Sequence, residues 1–115
     1  MWHYRAKIVK IVDADTLDLD IDLGFGILKR ERVRLARIDA WEVRGEERQQ
    51  GLVAKNAVVE LCEQFNYECS VTTSKDRGKY GRYIAEIDFH YDRLGEPSVN
   101  LSDFLLKEGH AVKFF

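Results

Sequence analysis

From Thr16 the chain runs Leu17-Asp18-Leu19-Asp20-Ile21-Asp22-Leu23, apolar and acidic residues in strict alternation. Successive side chains of a strand point to opposite faces, so period two predicts a strand with one buried face and one wet face. Gly24-Phe25-Gly26 turns the chain. A third strand, about Leu28 to Ile38, brings in Lys29, Arg30, Arg32, Arg34 and Arg37 and ends as Asp39 begins the next loop. Upstream, Ile8, Val9, Ile11 and Val12 mark a first strand over about Tyr4 to Val12, closed by a turn at Asp13-Ala14-Asp15.

The period then changes. Between about Glu46 and Phe65, Leu52, Val53, Ala54, Ala57, Val58, Leu61, Cys62 and Phe65 form a helical stripe, with Gln49, Gln50, Lys55 and Glu60 left for the wet side. Strands resume at about Tyr67 to Thr73 and at Arg82 to Phe89, where Tyr83, Ala85, Ile87 and Phe89 share a face and Arg82 points to the other. A turn containing Gly95, Glu96 and Pro97 follows, then Asn100 as the cap of a short helix through Lys107, with Gly109 as its stop. Three strands, a long helix, two strands and a short C-terminal helix predict an α+β protein, mainly β: a five-stranded OB-type barrel plugged at one end by the long helix.

A length of 115 residues, 45% hydrophobic, suits a single domain over 1–115, and no linker, repeat or low-complexity stretch divides it. The formal charge of -2 gives the whole molecule no net attraction for a polyanion, so nucleic-acid binding would have to come from a local patch. No run near Met1 is apolar enough for a signal peptide or a membrane span, which makes a cytoplasmic protein the expectation and a trimmed exported precursor the alternative. Cys62 and Cys69 fit neither a metal pair nor a disulfide framework and are expected as buried free thiols. His3, His90 and His110 lack metal-ligand spacing. Asp18, Asp20 and Asp22 imitate the opening of a calcium loop, but Leu23 stands where that loop needs glycine and Lys29 where it needs glutamate.

Three segments carry the candidate chemistry: Asp13-Ala14-Asp15-Thr16, the stretch from Val33 to Glu42, and Lys79-Tyr80-Gly81-Arg82. Their residue types and order resemble the thermonuclease, or staphylococcal-nuclease-like, family, with its aspartate-glycine-aspartate-threonine turn, its arginine-leucine strand leading to isoleucine-aspartate and proline-glutamate, and its tyrosine-glycine-arginine. The likeness continues through Val99-Asn100, from Leu105 to Gly109 and at Ala111, and so covers almost the whole chain.

The resemblance implies a metal-dependent nuclease that hydrolyses DNA, with RNA left open as a second substrate, and leaves 3′-phosphate ends, its metal being calcium with another divalent cation as the alternative. It places Asp15, Asp39 and the Ala40 carbonyl on Ca2+, an oxygen set suited to a hard divalent cation. It places Arg34 and Arg82 on the phosphate, where guanidinium forks counter the charge of a five-coordinate phosphorus. Glu42 becomes the base that activates water, and Lys79 and Tyr80 border the bound nucleotide. Phe114 and Phe115 extend that wall or pack in the core. The expected partner is the nucleic-acid substrate, without a membrane, for a monomer.

Each residue has a plainer reading: Asp15 as a turn aspartate, Arg34 and Arg82 as solvated strand residues, Glu42 as an acid near a helix start. The rival function is a barrel that binds nucleic acid or protein without catalysis. Three positions depart from the family pattern. Ala40 replaces a threonine, Ala14 replaces a glycine that would matter if its φ were positive, and Trp41 replaces the proline before Glu42. The indole either displaces Glu42 or offers a stacking surface to a base.

Overall fold

In the computed structural model, residues 2–77, 83–91 and 98–114 are described below. The run from Thr16 forms β2 (Thr16–Asp22), flanked by β1 (Trp2–Asp13) and β3 (Leu28–Leu35). Leu17, Leu19 and Ile21 are buried while Asp18 and Asp20 keep solvent contact on the other face, as the alternation requires. In β1 the alternation slips once: Ala6 and Ile8 are buried, then Ile11, because a bulge between Ile8 and Lys10 takes up one residue and leaves Val9 outside.

β5 (Glu68–Arg77) pairs antiparallel with β1, and β6 (Tyr83–Phe89) pairs antiparallel with β5. The barrel closes where β6 runs parallel to β3, with Val33 opposite Tyr83, Arg34 opposite Ile84 and Leu35 opposite Ala85. These five strands and two helices form the α+β, OB-type fold expected from the element order. The interior is filled by Leu17, Leu19, Val33, Leu35, Val71, Ile87 and Phe89.

The long helix, α1 (Arg48–Gln64), follows a 3-10 turn at Gly45–Glu47 and buries Gly51, Ala54, Val58, Leu61 and Cys62. Val53, at 57% exposed, stands off that face. The helix ends where Asn66 and Tyr67 turn left-handed and the Tyr67 N–H donates to the Cys62 carbonyl at 2.8 Å. A second helix, α2 (Leu101–Lys107), is preceded by a two-residue strand, β7 (Val99–Asn100). Its cap is the expected one: Asn100 Oδ1 accepts the Asp103 N–H at 2.9 Å, and Gly109 carries the left-handed stop at φ 76°. Cys62 and Cys69 are free and buried, and burial pushes both thiols up to about 12. Among the described residues no helix is long and apolar enough to cross a membrane.

The third strand differs from its expected span of Leu28 to Ile38. It stops at Leu35, Arg37 turns left-handed at φ 70°, and a separate strand, β4 (Ile38–Ala40), pairs with β8 (Ala111–Lys113) near the C-terminus. Asp39 therefore sits inside a strand, opposite Val112, and does not open a loop. The turn is fixed by side-chain chemistry distant in sequence. Arg37 donates to Glu86 Oε2 (3.1 Å), Asp103 Oδ1 (3.0 Å) and Asn100 Oδ1 (3.1 Å), which joins the turn to β6 and α2.

Outside the barrel, β2 and β3 are cross-linked by two forked pairs: Arg32 on Asp18 at 2.7 Å and Arg30 on Asp20 at 2.6 Å. Hydrogen bonds from these arginines hold both carboxyls below the usual carboxylate value. A carboxyl with a depressed folded value adds stability above its unfolded value, about 3.9, and loses it as pH falls through the lower folded value. The melting temperature is expected to drop on acidification below about pH 4. Asp18→Asn should melt lower than wild type at pH 7, by no more than the roughly 1 kcal/mol of a solvent-accessible pair, and the difference should vanish in strong acid. Thermal melts across pH 2 to 7, roughly the window of these carboxyls, check this; an undiminished difference in strong acid would remove the pair from the account.

Candidate active site

The turn between β1 and β2, the end of β3 and the strand β4 that follows it bring four of the expected residues, Asp15, Arg34, Asp39 and Ala40, to one place. Asp15 is 5% exposed, and each of its carboxylate oxygens accepts one hydrogen bond. Thr16 Oγ1 donates to Oδ1 at 3.2 Å, and the Ala40 N–H donates to Oδ2 at 3.1 Å. Arg34 reaches both acids with one nitrogen: Nη2 lies 3.1 Å from Asp39 Oδ1 and 3.7 Å from Asp15 Oδ2. Two carboxylates from segments far apart in sequence thus face a single cationic group, here a guanidinium. Ala14 is fully buried and is not among the residues with positive φ, so replacing glycine there stores no left-handed strain.

Arg34 also packs its guanidinium over Phe114, with Cζ 5.1 Å from the ring centroid. Phe114 is about half exposed, and its N–H donates to the Arg37 carbonyl at 2.9 Å. The ring that the sequence left between stacking wall and core packing thus lies against the candidate phosphate-binding arginine.

A cleft of about 500 Å³ opens beside Asp39 and Ala40 and is lined further by Trp41, Glu42, Glu46 and Val112. Glu42 is half exposed. Its carboxylate lies 3.3 Å from Arg44 Nε, a solvated pair worth no more than about 1 kcal/mol and so readily opened. The backbone under Glu42 is held more firmly. Its N–H donates to Glu47 Oε2 at 3.2 Å, and the next N–H, on Val43, donates to Asp13 Oδ1 at 3.0 Å.

From the other side α1 closes in at Gly51, where an added Cβ would fall 2.1 Å from the Glu42 carbonyl oxygen. Glu47 and Gly51 were not singled out by sequence reasoning, and Asp13 was named only as part of its turn motif, without a role of its own. Gly51 did leave a signal: a glycine inside a helical stripe costs roughly 1 kcal/mol against alanine, so its presence asks for a packing reason.

The site residues suit the donor chemistry of a hard divalent cation. Asp15 and Asp39 present oxygen to one point, and the Ala40 carbonyl is the third protein oxygen in the resemblance. Among the described residues no group of three or more His, Cys, Asp or Glu could hold a metal, so waters and substrate would complete the shell. Lys79, Tyr80, Arg82 and Phe115 lie outside the described residues, as does the turn with Gly95, Glu96 and Pro97.

The Gly51 contact gives a sharp expectation. In an open helix Gly→Ala would stabilise by roughly 1 kcal/mol, but here the methyl meets backbone, and Gly51→Ala should instead destabilise by about 1–3 kcal/mol. Urea denaturation followed by circular dichroism measures it. A stabilised variant would mean that α1 does not press on the Glu42 segment.

Residues 32–115 match the model of a family described as staphylococcal nuclease homologue. The matched stretch contains Arg34, Asp39, Ala40, Glu42 and Arg82, whereas Asp15 lies before it and joins the site through its contacts with Ala40 and Arg34. Comparison with curated proteins gave no match. With the family model spanning most of the chain on a closed OB-type barrel, the protein belongs to the staphylococcal nuclease homologue family.

Proposed function

We propose that this protein is a calcium-dependent phosphodiesterase that cleaves DNA, with RNA as the second substrate to be tested, leaving 3′-phosphate ends. The observation that carries the reading is the convergence of Asp15 and Asp39 on one nitrogen of Arg34, beside the cleft that contains Glu42. Asp15, Asp39 and the Ala40 carbonyl are the residues to hold the cation. When bound, calcium supplies Lewis-acid polarisation of the phosphate.

The chain's own groups do the rest. Arg34 meets its acids through one nitrogen, and its remaining N–H donors are available to a phosphate oxygen as negative charge builds there. Arg82 is assigned to the same phosphate. Glu42 parts from Arg44, accepts a proton from water, and the resulting hydroxide attacks phosphorus. The P–O5′ bond then breaks, the leaving 5′-oxygen takes a proton from water to become a 5′-hydroxyl, and the phosphate stays on the 3′ side. Lys79 and Tyr80 are assigned to the flanking nucleotide, the ammonium to a phosphate and the ring to sugar and base.

A second reading, a barrel that binds nucleic acid or protein without cleaving, draws support from the Glu42–Arg44 pair and from Trp41 in place of the proline. The two separate in one experiment. Single- and double-stranded DNA and RNA are incubated with the purified protein in calcium and in chelator, beside Arg34→Ala, Arg82→Ala and Glu42→Gln. Cleavage is expected in calcium alone, with each variant slower by about a hundredfold or more and mass spectrometry showing 3′-phosphate products. Calcium-dependent cleavage no greater than that of Arg82→Ala would leave the binding module as the function.

A further inference from the structure

Trp41 is the residue that neither the fold nor the proposed chemistry uses. It is half-buried and lies outside both the apolar core and the partly buried residues packed on it. Its neighbourhood explains what it is available for. The indole borders two depressions: the cleft shared with Asp39, Ala40 and Glu42, and a second pocket of about 350 Å³ lined by Trp41, Gln49, Gln50, Val53, Gly109 and His110.

The second pocket differs in chemistry from the first. No lysine, arginine, aspartate or glutamate is among its described lining residues, so it has neither a fixed cation for a phosphate nor an anion for a basic group. What the pocket offers is a flat aromatic wall, the exposed apolar Val53 and two exposed carboxamides. A carboxamide presents a donor and an acceptor side by side, the pattern that matches a nucleobase edge, and indole is a strong stacking surface for a base.

We propose that this pocket is a nucleobase subsite. A base adjoining the scissile phosphate stacks on Trp41 while Gln49 and Gln50 bond its edge. The inference rests on the nuclease reading for the position of the phosphate, and it gives the Trp41 substitution a purpose: the side chain beside the base Glu42 grips the substrate strand. Its position is set by the same backbone that Asp13, Glu47 and Gly51 hold.

The chain has two tryptophans, so a Trp2→Phe background makes emission a report on Trp41 alone. In that background, with Glu42→Gln to stop turnover and calcium present, the protein is titrated with a single-stranded octadeoxynucleotide and with an abasic deoxyribose-phosphate octamer. The base-bearing strand should quench Trp41 saturably and bind at least roughly tenfold tighter than the abasic strand, the scale of one stacked base. Gln49→Ala/Gln50→Ala, both at exposed positions that the fold does not need, should lose that margin and leave abasic binding unchanged. Equal affinity for the two octamers, or Trp41 emission indifferent to the bases, overturns the subsite, even if the wild type cleaves DNA. Base-dependent quenching in a protein whose wild type cleaves nothing keeps the subsite and removes only the nuclease reading.

Discussion

Closure of the barrel between β3 and β6 is the constraint on which the site depends. β3 is paired on both edges, with β2 antiparallel and β6 parallel, so the position of Arg34 along the strand is fixed from two directions. At the end of the strand two backbone bonds finish the join: the Leu35 N–H donates to the Asp15 carbonyl and the Ala36 N–H to the Ala85 carbonyl. The first ties the turn that carries Asp15 to the strand that carries Arg34. The sharp turn at Arg37 then returns the chain as β4, and Asp39 arrives beside both. The geometry of the candidate site here follows from sheet geometry, with strand register and two short turns setting the distances.

The charge pattern makes sense on the same frame. The sequence offers a dense basic strand, yet Arg30 and Arg32 are bound to Asp20 and Asp18, Lys29 lies by Glu31, and Arg37 is shared among Glu86, Asp103 and Asn100. These acids absorb the field of most of the strand, so a net charge of -2 says little about the polarity of one cleft. Arg34 differs from its neighbours in having the site acids as its partners.

Features governed by short-range rules were legible from sequence. The alternation of β2 reads directly because a strand's faces alternate whatever else surrounds it. The stripe of α1, the Asn100 cap and the Gly109 stop are likewise local. The break after Leu35 was not legible, because Arg37 is held in its left-handed turn by Glu86, Asn100 and Asp103, which no window of sequence around it contains. β4 was hidden for the same reason, since a three-residue strand has no pattern of its own and exists through its pairing with β8. In the site, the acids and arginines could be named from residue type and order. The groups that hold them, Asp13 on Val43 and Gly51 under Glu42, act through backbone and leave only faint marks in composition.

The meeting of Gly51 with the Glu42 carbonyl also says where this chain can change its length. The stretch between those residues is largely exposed and lacks the pairing of a strand, so by surface criteria it should accept insertions and deletions freely. Within the first turn of α1 it cannot, because its two ends touch: one residue more or fewer between Arg48 and Gly51 would turn the face of the helix by about 100° and replace the hydrogen of Gly51 with a side chain. The tip of the β2–β3 hairpin is the opposite case. There Phe25 is fully exposed between two left-handed glycines, and this chain could lengthen or shorten the loop without disturbing a described contact of the site.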